Sequence, residues 1–141
     1  MKMYHDRETT PLKFHKVFWF LLLPIDFLFA CYDLHNLVSE STVFSLPDIV
    51  DLVALLSLIV LSLLCFTGFF RWRTYAWYCV IFYFCEELVY DLVFIILCSI
   101  NAPTHMGEWT KEFFLALLWV VPCTLYYYKR RPLFFTDRSP S

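Results

Sequence analysis

The chain has 141 residues, 60% of them hydrophobic, with 16 Phe, 9 Tyr and 5 Trp against two glycines and a formal net charge of -2. So apolar a composition, well above the roughly 45–50% of ordinary soluble domains, excludes a disordered or collagen-like chain, and the charge gives no attraction to nucleic acid. A chain this short has too little interior to hide so much apolar side chain, so the expected solvent is lipid.

Four apolar runs follow in chain order, each about long enough to cross roughly 30 Å of hydrocarbon at about 1.5 Å per residue. The first covers residues 17–37 and carries Pro24, Asp26 and Asp33. Residues 49–70 form the second, the most uniformly apolar. The third, 74–100, contains Glu86, Glu87 and Asp91, and the fourth, 110–128, contains Pro122. Residues 129–141 form a basic tail. Continuous apolar runs predict helices, because unpaired backbone groups are costly in lipid and barrel strands would alternate. Short connections, such as Arg71, Trp72 and Arg73 between the second and third runs, predict antiparallel neighbours. The expected fold is therefore an all-α integral membrane protein in a single domain, 1–141: four transmembrane helices in an up-down-up-down bundle.

Charge orients this arrangement. Lys2, Arg7, Lys13, Lys16, Arg71, Arg73, Lys129, Arg130, Arg131 and Arg138 fall on one side and only Lys111 on the other. The positive-inside rule then places both termini in the cytoplasm, with residues 129–141 as a cytoplasmic tail. A multi-pass location in the plasma membrane is expected, with an endomembrane as the alternative. "YYYKRRPLFF" at residues 126–135 reads as an interfacial anchor, and Trp72, Trp77 and Trp109 as interfacial aromatics.

The intramembrane acids are the main functional candidates, since a carboxylate at bilayer depth costs at least about 2.5–3.5 kcal/mol. Asp26 lies about 14 Å along its helix and Glu86 and Glu87 about 18–20 Å along theirs, so they share a middle tier. Asp33, Asp51 and Asp91 form an outer tier. Asp26 and Asp33 occupy one helix face, as do Glu87 and Asp91, with Tyr83 and Tyr90 around the latter pair. Glu86 points about 100° away. Without a buried Lys or Arg, such acids share protons, bind a cation or stay hydrated. The predicted ligand or proton site is Asp26, Asp33, Asp51, Tyr83, Glu87, Tyr90 and Asp91, an acidic, aromatic-lined cavity.

On that basis the expected function is binding or transport of a cation or proton-coupled small ligand. The alternatives are an accessory or structural subunit of a larger membrane complex and a membrane enzyme acting on a lipid-like substrate. No HExxH signal, phosphate-binding loop or Ser/His pair defines a reaction, so catalysis is the weaker expectation and no cofactor is implied. Expected partners are membrane lipids, a cation or small amphipathic ligand, and a membrane protein. Ala54, Ser57, Cys65 and Gly68 make a small-residue stripe suited to close helix packing. The six cysteines form no CxxC pair; Cys31 and Cys98 are the two that a disulfide would join. The four histidines are dispersed and read as surface residues.

Overall fold

A computed structural model describes residues 13–40, 43–101 and 103–135, and these are almost entirely helical. The chain runs through α1 (Lys13–Val17), a π-helical turn (Phe18–Leu22) and α2 (Leu23–Glu40) without interruption, then α3 (Leu46–Phe70) and α4 (Thr74–Asn101). A 3₁₀ turn (Pro103–His105) leads to α5 (Met106–Lys129), and a short α6 (Arg131–Phe134) closes the described chain.

Local chemistry accounts for the helix ends. Ser45 caps α3 through a capping box: its hydroxyl accepts from Asp48 N–H, while the Asp48 carboxylate accepts from Ser45 N–H at 2.7 Å. Pro47 occupies the first turn of α3, where a missing N–H costs nothing. The far end of α3 is a Schellman-type turn, with Arg73 N–H donating to Gly68 O at 3.0 Å and Trp72 N–H to Phe69 O at 3.2 Å. The left-handed residue there, normally glycine, is Trp72 at φ 50°. Its ring stacks on His15, with centroids 5.0 Å apart, and packs on Phe134. In the π turn, Leu23 N–H reaches back to Phe18 O, directly before Pro24, which has no N–H to offer.

The helices pack in chain order, α2 on α3, α3 on α4 and α4 on α5. α3 and α4 approach tightly at Gly68, where an added Cβ would lie 2.5 Å from Ala76 Cβ and 2.8 Å from the Tyr75 ring. Around this point sits an aromatic core in which Phe18, Phe69, Phe84, Tyr127 and Phe134 are buried. Phe69 and Tyr127 stack with parallel rings 5.9 Å apart, and Trp77 Nε1–H donates to Tyr127 O at 3.0 Å. His15 is buried at the edge of this cluster, with Nδ1 3.0 Å from the Tyr127 hydroxyl.

The expectation of four transmembrane helices is overturned. Among the described residues, only Lys13–Ser39 and Leu46–Phe70 are long and apolar enough to cross a membrane. Every 18-residue window of α4 contains Glu86, Glu87 and Asp91, more charge than such a span admits, and α5 is diluted by its tyrosines, Pro122 and charged ends. What the described residues form is a compact helical bundle with extensive packing from α2 to α5. The up-down-up-down membrane topology, the cytoplasmic placement of both termini, and the multi-pass plasma-membrane or endomembrane location fall with the four spans. Membrane lipids and a membrane protein partner, expected from four spans, lose that basis, because the described residues show no four-span arrangement to meet them. Lys2, Arg7 and Arg138, used in the orientation argument, lie outside the described residues, as do His5 and residues 136–141 of the tail.

The anchor reading of residues 126–135 is likewise corrected. Tyr127, Leu133 and Phe134 are buried because α6 folds back over the end of the bundle, where Phe134 O accepts from the Thr74 hydroxyl at 3.1 Å. Trp77 is buried rather than interfacial, Trp109 stacks on Phe94 at 4.5 Å, and His15 is a core residue. Cys31 and Cys98 are both free thiols.

Candidate functional site

Away from the aromatic core the helices enclose a cleft of about 720 Å³. Asp26, Asp33 and Leu37 reach it from α2; Asp51, Ala54, Leu55 and Leu58 from α3; Tyr83, Glu86, Glu87 and Tyr90 from α4; and Trp119 from α5. Tyr83 joins this lining to the aromatic core, its ring meeting Phe18 and Phe84 edge-on at centroid distances of 5.5 and 5.4 Å.

Three of its acids already have hydroxyl partners on a neighbouring helix. Tyr83 donates to Asp26 Oδ2, linking α4 to α2. Tyr90 donates to Asp51 Oδ1 at 2.7 Å, and Ser57 donates to Glu86 Oε1, both linking α3 to α4. The second oxygen of Glu86 is buried without a partner. Asp33 and Glu87 present carboxyls on exposed positions of the lining. Burial raises Glu86 and Glu87 above the ordinary carboxylate range, and Glu87 is raised further by the charges of Asp91 and Asp26. Among the described residues no Lys or Arg lines the cleft to oppose this.

Six of the seven predicted site residues, Asp26, Asp33, Asp51, Tyr83, Glu87 and Tyr90, thus line one cleft. Asp91 does not; it is buried, and it is raised by burial and by the charge of Glu112 on α5. The predicted packing stripe divides. Cys65 and Gly68 are buried at the α3/α4 contact, whereas Ala54 lines the cleft and Ser57 serves Glu86.

Glu86 and Trp119 escaped the sequence-based site. Glu86 was legible in the hairpin register, since Ser57 and Glu86 lie fifteen and fourteen residues from Trp72 at the turn, so antiparallel pairing brings them level. Trp119 had no local signal, because its position depends on how α5 packs.

The transport and cation-coupled reading is corrected on this geometry. Among the described residues no channel-like cavity or four-span arrangement is present, and Asp26, Asp51 and Glu86 spend acceptor capacity on hydroxyl donors from adjacent helices. Among the described residues no three His, Cys, Asp or Glu side chains are grouped to hold a metal ion. The alternatives that required a membrane complex or a membrane enzyme lose their footing with the four spans. No family model, curated protein or solved structure matches the chain.

Proposed function

We propose that the chain binds an uncharged small molecule in the cleft between α2, α3 and α4, one carrying hydroxyl or amide hydrogens beside a flat apolar face. A single observation carries this reading: one recess of about 720 Å³, a volume typical of small-molecule sites, collects carboxyl oxygens from three helices beside Leu37, Leu55, Leu58 and Trp119. Carboxylates accept hydrogen bonds and, once protonated, also donate one. With Asp26, Asp51 and Glu86 engaged by hydroxyls, the acceptors left for a ligand are chiefly those of Asp33 and Glu87. The upward shift of Glu86 and Glu87 reflects the partly desolvated surroundings of these carboxyls, which suit an uncharged molecule that brings its own hydrogen-bond donor. Trp119 and the leucines supply apolar surface for the body of the molecule.

Calorimetric titration with 2-naphthol and 2-methoxynaphthalene tests the reading, because the two share a flat ring system but only the first has a hydroxyl hydrogen. The naphthol should bind about tenfold tighter, the worth of one hydrogen bond to an ionisable acceptor. Glu87→Ala with Asp33→Ala should remove that difference. Equal binding of the two probes by the unaltered chain, or no binding of either, overturns the reading.

A further inference from the structure

His15 stands where the two ends of the described chain meet. It is 2% exposed, and its ring lies against Phe69 of α3 at 4.7 Å, Trp72 of the following turn at 5.0 Å and Phe134 of α6 at 6.4 Å. Its backbone N–H donates to the Tyr126 hydroxyl at 3.2 Å, and its Nδ1 meets the Tyr127 hydroxyl. Nε2 is covered and has no hydrogen-bond partner. One residue earlier, Phe14 packs on Tyr126 and Trp119 of α5, while Lys13 and Lys16 are exposed. Residues 13–16 are thus docked on the bundle by two side chains, Phe14 and His15.

The enclosure suits a neutral imidazole. The polar groups that face it are the Tyr126 and Tyr127 hydroxyls of α5 and the guanidinium of Arg130 just beyond them. Phe69, Trp72 and Phe134 bring no charge, and Arg131 of α6 lies over Trp77 and Phe135. Among the described residues no carboxylate pairs with His15. Burial, and then the charge of Arg130, push its imidazole from the ordinary 6.5 down to about 4. A covered ring takes no proton in place, so residues 13–16 must lift first. Few contacts hold them, which makes that opening cheaper than unfolding the bundle. Once lifted into water, the ring takes a proton near its ordinary value, and each proton taken holds the turn open. Docking is therefore fully favoured above about pH 6.5 and is lost as pH falls toward 4.

We propose that His15 is an acid-sensitive latch, whose protonation releases residues 13–16 from the end of the bundle and uncovers Tyr127 and the apolar surface of Phe69, Trp72 and Phe134. The inference is independent of the ligand assigned to the acidic cleft.

Native-state hydrogen exchange of the full chain, read by NMR at the position 15 amide, tests it. Corrected for its intrinsic rate, protection of that amide should fall about tenfold per pH unit between about pH 6 and 4.5. The opening should respond little to 1 M urea, because lifting four residues exposes little surface. His15→Phe keeps an aromatic ring but takes no proton, so protection in that variant should not depend on pH. A second measurement needs no variant: the ring resonances of His15 in the unaltered chain should titrate below pH 5. An equal fall in His15→Phe, no fall in the unaltered chain, a urea response as steep as global unfolding, or ring titration near 6.5 overturns the proposal.

Discussion

The Tyr90 hydroxyl donates to Asp51 Oδ1 at 2.7 Å, across the contact between α4 and α3. This bond joins residues 39 apart in sequence, and it fixes the register of the helix hairpin at the wide end, opposite the tight turn at Trp72. Hydrogen bonds to an ionisable acceptor contribute about 1.5–3 kcal/mol, more than a neutral pair. Because both partners are only half-buried, the lower end of that range applies. Tyr90→Phe should therefore lower unfolding free energy by about 1–2 kcal/mol in urea denaturation. A double-mutant cycle with Asp51→Ala should show coupling of about 1 kcal/mol; strictly additive losses would remove the bond from the account.

At the opposite end of the hairpin, packing is the controlling term. Gly68→Ala puts a methyl carbon 2.5 Å from Ala76 Cβ, well inside contact distance. The two helices must separate there, and the expected cost is about 1–3 kcal/mol. Adding Ala76→Gly should recover part of the loss, with the remainder due to the Tyr75 ring at 2.8 Å. No recovery in the double variant would mean that the α3/α4 contact is not what glycine permits.

Tyr127 separates the contributions of hydrogen bonding and packing in the core. Tyr127→Phe removes the hydroxyl beside His15 Nδ1 and should cost about 1 kcal/mol. Tyr127→Ala also removes the ring that packs on Phe69, Phe18 and Phe84, and should cost about 3–5 kcal/mol. Equal losses in the two variants would assign the stabilisation to the hydroxyl instead of the ring.

The cleft acids make a prediction about pH. Burial raises Glu86, Glu87 and Asp91, so the folded chain holds protons that the unfolded chain releases. Their stabilisation is fully present below the unfolded carboxyl values of about 4 and is lost as pH rises through the raised folded values. Asp48 works in the opposite direction, being held below its ordinary value by Ser45. The informative quantity is thus the difference between chains: Glu87→Gln should become more stable relative to the unaltered chain as pH rises from 4 toward 7. A difference independent of pH would show that Glu87 titrates alike folded and unfolded.

Helix was legible from continuous apolar runs because neither strand alternation nor glycine-rich turns interrupted them. The acidic residues also announced themselves, since a charge inside an apolar run stands out by cost alone. Their partners were harder to read. Tyr83 and Asp26 lie 57 residues apart, and no local pattern states that α4 will set one against the other. His15 gave a surface signal, being one histidine near two lysines, and only the enclosing rings of Phe69, Trp72 and Tyr127 make it a core residue. Similarly, the basic and aromatic segment at 126–135 has the composition of a membrane anchor, while α6 uses Leu133 and Phe134 to close the bundle.

By itself, the sequence determined that the chain is helical, where its acids fall along the helices, and that no cationic side chain stands among them. Those properties depend on local periodicity and composition. Tertiary structure decided the rest. It withdrew two of the four proposed spans, folded Leu133 and Phe134 into the core, and turned Glu86 toward Ser57 and Asp91 away from the cleft. Apolar side chains record a preference for leaving water, but they do not record whether lipid or another helix will cover them; that depends on contacts between residues distant in the chain.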